Sequence, residues 1–270
     1  MAADRFVGKV ALVTGAARGQ GRSHALGLAA EGADVIALDV CAEYETTDYA
    51  GATDADLAET ARLVEQLDRR VVATKVDVRD LGALRTAVDA GVAELGRLDV
   101  VAANAGICVL TAWDEVTPQI WQDTLDTNLT GAWHTMLATV PHLIAGGGGS
   151  IVCTGSTCGV RGVPFFAPYV AAKHGLVGIA RTMANELAEH SVRVNVVHPA
   201  GVLTELTNGL GRIGELIDRH PRLAGTFQNA LPVERLQPVD ITKAVLFLAS
   251  DDALHVTGTE LMVDAGNTNF

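Results

Sequence analysis

The chain alternates short apolar runs with longer amphipathic stretches. Lys9–Thr14 (KVALVT) is an apolar run ending in a glycine-rich turn, the pattern of a strand buried on both faces. Gly19–Glu31 follows with helical spacing, and Asp34–Val40 repeats the strand pattern. After a longer connection, Cys41–Thr53, the spacing predicts a helix over Asp54–Leu67, a strand over Val71–Val76 and a helix over Asp80–Leu95. Leu98–Ala103 predicts a fourth strand. Pro118–Leu143 predicts one long helix with proline at its start, where a missing N–H costs nothing. A turn at Gly146–Gly149 leads to a fifth strand, Ser150–Thr154, then a helix over Pro168–Glu189 and a sixth strand, Val192–Val197. Helical segments near Glu205–Arg219 and Pro238–Leu248 precede a last strand, Glu260–Val263.

Repeated strand–helix units imply an α/β protein with a parallel sheet covered on both faces. Right-handed crossovers then favour a doubly wound Rossmann fold, here with seven parallel strands. No long linker or repeat divides the chain, so residues 1–270 read as a single nucleotide-binding domain. Within it, residues 204–231 have no strand character, and Leu206, Leu210, Ile213 and Ile217 recur at helical spacing. That spacing fits either a core-packing helix pair or a lid over a substrate pocket.

Composition narrows the partners. With 270 residues, 49% hydrophobic and 19% charged, the chain can bury a full core without metal or disulfide staples. A formal net charge of −12 disfavours nucleic acid and anionic membrane surfaces. The start, MAADRF, lacks the pattern of a secretory signal. The nearest approach to a bilayer span, Leu98–Leu110, is short and carries Asp99 and Asn104. Cys41, Cys108, Cys153 and Cys158 form no CxxC pair, and the eight histidines show no HExxH spacing. No metal site is expected, and reduced thiols in a cytoplasmic protein are.

The first strand runs into Thr14-Gly15-Ala16-Ala17-Arg18-Gly19-Gln20-Gly21. Gly15 permits a tight turn. Gly19 and Gly21 let a pyrophosphate approach a helix N-terminus, where free N–H groups and the dipole meet negative charge. Three glycines alone are weak evidence, because turns use glycine everywhere. The preceding strand, the following helix, and Asp39, 18 residues beyond Gly21 at the end of the next strand, make it specific. A carboxylate there accepts hydrogen bonds from both adenosine ribose hydroxyls and repels a 2′-phosphate, which favours NAD over NADP. Arg18 argues mildly the other way, unless it pairs with Asp39 or sits near the ribose.

Tyr169 and Lys173 lie at i and i+4, one turn apart on one helix face. A phenol with a pKa near ~10 must drop by roughly three units to act as a base near neutral pH. A neighbouring ammonium and an oxidised nicotinamide could supply that. The pair alone is weak, since phenol rings often pack on lysine stems at helix surfaces. Ser156 stands 13 residues before Tyr169, just past the fifth strand, where a parallel sheet opens onto its ligand crevice. Its hydroxyl could hold a substrate oxygen while Tyr169 handles the proton. Asn128 could order a water between Lys173 and solvent, or simply bond within its own helix.

Taken in order, Thr14-Gly15-x-x-x-Gly19-x-Gly21, Asp77-Val78, Asn104-Ala105-Gly106, Asn128, Ser156, Tyr169-x-x-x-Lys173 and Pro199 with Val202 and Thr204 resemble the short-chain dehydrogenase/reductase family. The resemblance runs from Lys9 to Phe270. It implies that Tyr169 is the acid/base, that Lys173 bonds the nicotinamide ribose and lowers the Tyr169 pKa, that Ser156 positions the substrate oxygen and that Asn128 holds a relay water. It also implies that Asp77 and Val78 contact adenine, that Asn104 to Gly106 line the adenosine ribose, and that Val202 and Thr204 contact the carboxamide. Two positions depart from the family pattern. Ala103-Asn104-Ala105-Gly106 replaces Asn-Asn-Ala-Gly, and Pro199-Ala200 replaces Pro-Gly, with Gly201 one place later. Residues 15–24, Asp39-Val40-Cys41 and the long loop after strand two are similar to the mycofactocin-associated, carveol dehydrogenase-like subgroup. That likeness implies tightly held NAD, a terpenoid or other apolar alcohol, and an electron acceptor of mycofactocin type. Family members are usually homotetramers packed through the helices at Pro118–Leu143 and Pro168–Glu189.

The expected activity is therefore NAD-dependent oxidation of an alcohol to its ketone. An NADPH-dependent carbonyl reductase is the alternative, and a non-catalytic NAD-binding protein a third reading. Candidate pocket walls are Cys108, Cys158, Val160, Phe165, Phe166, Leu206 and Leu210, with Arg161 nearby. They are mostly apolar, which disfavours an acidic substrate. His24 has no role readable from sequence.

Overall fold

A computed structural model describes residues 4–208 and 210–269. Met1 to Ala3 of the N-terminal stretch, Gly209 within the late helical segment, and Phe270 lie outside the described residues.

The seven-stranded sheet is parallel throughout. Along the chain run β1 (Val10–Thr14), α1 (Gly19–Ala30), β2 (Asp34–Asp39), α2 (Asp54–Glu65), β3 (Val71–Lys75), α3 (Leu81–Leu95) and β4 (Val100–Ala103). Then come α4 (Pro118–Leu125), a π-turn (Asp126–Thr130), α5 (Gly131–Ala145), β5 (Gly149–Thr154), α6 (Ala167–Glu186) and β6 (Val192–Pro199). Last are α7 (Glu205–Asn208), α8 (Ile213–Arg219), α9 (Pro238–Ala249) and β7 (Glu260–Val263). The strand order is β3-β2-β1-β4-β5-β6-β7. It reverses between β1 and β4, the switch point at which such sheets bind ligands beyond their C-terminal strand ends.

Successive strand residues point to opposite faces, and both faces are covered. Val10, Leu12, Ile36, Leu38, Ile151 and Val194 join Leu84, Met136, Leu143 and Leu176 in one buried layer with α3, α5 and α6. Ala11, Val13, Val35, Ala37 and Val152 join Leu28, Val64, Val245 and Leu248 in the other, with α1, α2 and α9. This double burial is why the strands read as unbroken apolar runs rather than alternating ones.

Two expected helices are broken. The span from Pro118 is interrupted by the π-turn, which inserts extra backbone around Asn128. The span from Glu205 forms two short helices, Glu205–Asn208 and Ile213–Arg219, followed by a 3₁₀ turn over Pro221–Phe227. With the register reset, Leu216 rather than Ile217 becomes the fully buried residue of α8.

Candidate active site

Gly15, Arg18, Gly19, Gln20, Gly21, Asp39, Asp77, Val78, Asn104, Ala105, Gly106 and Thr204 converge on one cleft at the switch point. Local chemistry explains their positions. Gly15 has φ +67°, and a Cβ there would sit 2.9 Å from the Ala105 Cα. A Cβ on Gly21 would lie 1.9 Å from the Gly15 carbonyl oxygen, so α1 can meet β1 this closely only with glycine. The start of α1 has no side-chain cap and no acidic residue in its first turn. Its N–H groups therefore face the cleft without a competing anion. Gln20 adds a buried Oε1 that has no partner among the described residues.

Asp39, 8% exposed, accepts from the Ala17 N–H at 2.9 Å and the Cys41 N–H at 3.0 Å. These bonds fix its carboxylate on the cleft wall. Arg18 does not pair with Asp39. Its guanidinium donates to the carbonyls of Ala50 and Gly51 (3.1 Å for the latter). That contact pins the connection between β2 and α2 as a strap over the cleft. Further buttons are the Cys108 N–H donating to the Tyr49 hydroxyl (3.1 Å), Thr46 donating to Asp123 (2.9 Å), and the Arg79 guanidinium 4.7 Å from the Tyr44 ring centroid. Tyr44, Thr47, Tyr49 and Gly51 all line the cleft. Sequence patterning missed them because a loop has no period. Two tyrosines in a long connection at the switch point were the available signal.

The Asp77 carboxylate is gripped by Arg79, with Nε at 2.8 Å and Nη2 at 2.6 Å. The Thr14 hydroxyl accepts from the backbone N–H groups of Asn104 (3.0 Å) and Ala105 (3.1 Å). The Asn104 side chain donates to the Thr14 carbonyl (3.1 Å) and accepts from the Thr154 hydroxyl (3.2 Å). Thr154 in turn offers its carbonyl to Lys173 Nζ at 2.7 Å. One polar chain thus links the glycine turn to Lys173.

Ser156, Tyr169, Lys173, Asn128, Pro199 and Val202 do not line this cleft. Lys173 is 3% exposed on α6, with Nζ 5.4 Å from the Tyr169 ring centroid. Burial pushes its pKa down to about 8. Tyr169 is half-buried. Burial, with the Cys108 and Cys158 thiols adding to it, pushes its phenol well above the ordinary range, and the Ser156 hydroxyl acts against this. Lysine proximity alone therefore does not produce the expected acidic phenol. Ser156 caps a 3₁₀ turn, its Oγ accepting from the Cys158 N–H at 3.1 Å.

The Asn128 side chain is fully engaged with backbone: its amide donates to the Ile107 and Thr124 carbonyls (2.9 Å each), and its oxygen accepts from the Ile107 N–H (3.2 Å). It fastens the segment after β4 rather than presenting a free amide. Pro199 ends β6. Val202 is buried, and its carbonyl accepts from the Thr207 hydroxyl at 2.7 Å. Ala200 in place of glycine leaves this path intact, because Gly201 and Leu203 exchange hydrogen bonds with Leu236.

Of the expected pocket walls, Cys108, Cys158 and Phe166 form a buried apolar cluster with Leu216, against which Phe165, Tyr169, Leu206 and Leu210 pack. Val160 does not join them and is 38% exposed. Arg161 turns away, donating to the Thr226 carbonyl (2.7 Å) and to Asn267. Phe165 adopts φ +69°, unusual for a bulky residue, and its ring stacks on Phe227 with centroids 6.4 Å apart.

A parallel sheet with a glycine turn at its switch point, beside a Ser-Tyr-Lys cluster, defines a nucleotide-dependent oxidoreductase. The chain belongs to the short-chain dehydrogenase/reductase family and is carveol-dehydrogenase-like; a family model described as enoyl-(acyl carrier protein) reductase matches residues 15–268. The (−)-trans-carveol dehydrogenase of Rhodococcus erythropolis is 47% identical, over 98% of this chain and 99% of its own. A short-chain dehydrogenase from Mycobacterium paratuberculosis bound to NAD superposes with a TM-score of 0.97 at 45% identity, covering 98% of this chain and 100% of that one. Carveol dehydrogenase from Mycobacterium avium in complex with NAD gives 0.93 at 47% identity, covering 98% and 99%.

Proposed function

We propose that the chain oxidises a small, apolar secondary alcohol, terpenoid-like in size and polarity, to its ketone with NAD. One juxtaposition carries this reading. Tyr169, with Lys173 over its ring, packs on an apolar wall that meets the nucleotide cleft at Leu206.

The cleft residues fit a dinucleotide. Gly15, Gly19 and Gly21 leave room for a pyrophosphate at the uncapped start of α1. The fixed Asp39 carboxylate suits ribose hydroxyls and repels a 2′-phosphate. Arg18, committed to the strap, is not free to offset that repulsion. When bound, oxidised NAD supplies the hydride acceptor and a positive ring charge that favours the phenolate. The Tyr169 oxygen takes the substrate hydroxyl proton. Ser156 Oγ hydrogen-bonds the substrate oxygen and holds it toward Tyr169. Lys173, held by the Thr154 carbonyl, places a cation beside the phenol. Asn128 serves from behind by fixing the Ile107 segment. Asp77, Val78 and Asn104 to Gly106 would flank the adenosine half, and Val202 and Thr204 the carboxamide end.

Residues 204–231 act as a lid in this reading: Leu206, Leu210, Ile213 and Phe227 pack against the apolar cluster. The buttoned strap supports slow NAD release, and with it reoxidation in place by an acceptor of mycofactocin type. An apolar groove between α5 and α6, lined by Leu129, Trp133, Ile179 and Met183, supports the homotetramer.

Two measurements test the reading. Initial rates on trans-carveol should favour NAD over NADP by a hundredfold or more, about 3 kcal/mol of like-charge penalty. A preference for NADPH would overturn the role of Asp39. Nucleotide released from purified protein should be NAD, with turnover sustained by an artificial electron acceptor.

A further inference from the structure

His198 lies in β6 directly behind Ser156, fully buried. Its Nδ1 is 2.6 Å from the Ser156 carbonyl oxygen and 3.2 Å from the Ser156 nitrogen. One ring nitrogen cannot serve both, and the shorter contact requires Nδ1–H to donate to the carbonyl. Nε2 then faces Glu260 Oε2 at 3.1 Å, an ion-pair contact rather than an aligned hydrogen bond. Burial lowers the His198 pKa, and the Ser156 carbonyl and the Glu260 carboxylate act against this. The other Glu260 oxygen pairs with Arg181 of α6, which carries the chain to the surface.

Two glycines make room for the ring. A Cβ on Gly155 would approach Nδ1 to 2.8 Å, and one on Gly159 would approach Cε1 to 3.0 Å. Gly155 precedes Ser156, and Gly159 is the last residue of the 3₁₀ turn that Ser156 caps. The imidazole therefore fills a slot built beneath that turn. Simple packing would be met as well by an apolar side chain without a buried ionisable ring.

We propose that His198 is a positioning residue for Ser156: donating from Nδ1 to the Ser156 carbonyl and anchored at Nε2 by Glu260, it fixes the turn that aims the Ser156 hydroxyl at the substrate oxygen. This rests on the role proposed above for Ser156.

The test uses the full-length protein with trans-carveol and NAD as probes. His198→Leu should lower kcat about tenfold to a hundredfold through a misaimed hydroxyl, while the Kd for NAD, read by fluorescence, stays within about twofold. His198→Asn, whose amide N–H can reach the same carbonyl, should restore most of the loss. Should the leucine variant not fold, His198→Gln, whose amide reaches the Nε2 position instead, is expected to show the same deficit. Wild-type kcat in His198→Leu overturns the proposal. So does an asparagine variant that loses as much as leucine in step with its fall in Tm, since that pattern marks mere packing. Ser156→Ala separates the two levels. If it leaves turnover intact, the role of Ser156 fails and the inference with it. If it abolishes turnover while His198→Leu is unaffected, only the inference fails.

Discussion

At the scale of single residues, Lys173 shows the tension of this site. A buried ammonium carries a desolvation cost, and its pKa falls from 10.5 to about 8. The folded form holds the proton less tightly than the unfolded chain, so the group destabilises the fold below pH 8. That cost disappears as pH climbs from about 8 to 10.5. At pH 7 it amounts to about 3 kcal/mol, offset in part by the hydrogen bond to Thr154. Lys173→Met should therefore abolish turnover yet raise Tm at pH 7, with the gain shrinking above pH 8. A methionine variant less stable than wild type at pH 7 would show that the Thr154 bond outweighs burial. The residues of this cluster were legible in sequence because their spacing is set by helix and strand geometry. Their electrostatics were not. The same burial that brings Lys173 to Tyr169 also raises the phenol pKa, which no spacing reveals.

At the scale of elements, α1 and α9 pack closely enough that a Cβ on Gly27 would meet the Thr242 methyl at 2.5 Å. His24, with no role readable from sequence, bridges them. Its Nδ1 lies 2.8 Å from the Thr242 hydroxyl, which itself donates to the Pro238 carbonyl, so His24 donates and Nε2 stays bare. Burial lowers its pKa from 6.5 to about 3. As pH falls through this interval the unfolded chain gains a proton that the folded one refuses. Stability is lost, by up to roughly 5 kcal/mol near pH 3. His24→Asn should flatten the Tm profile between pH 6.5 and 3 relative to wild type; an unchanged acid slope would contradict this. The strands were legible because parallel strands buried on both faces leave continuous apolar runs. The π-turn at Asn128 and the division of the late helical stretch into Glu205–Asn208 and Ile213–Arg219 were not, since both interrupt stretches whose local composition still favours helix. The strap was visible only as a gap in the pattern, because what orders it is Arg18, Tyr44 and Tyr49 reaching across the fold.

At the scale of the whole molecule, a cleft and an apolar cluster meet at Leu206. The cleft is lined by Asp39 among others, and the apolar cluster is packed around Cys108, Cys158 and Phe166. Thr14, Asn104, Thr154 and Lys173 tie the first to the second by hydrogen bonds. Tyr169 stands on the apolar side, where a hydroxyl group entering with an apolar body would meet its phenol. Proton transfer at that oxygen is the step on which the proposed chemistry depends. Tyr169→Phe removes one oxygen and keeps the ring that packs against Phe166. With NAD and trans-carveol, kcat should fall by roughly a hundredfold to ten-thousandfold while the Kd for NAD is unchanged. Wild-type turnover in that variant would contradict the account.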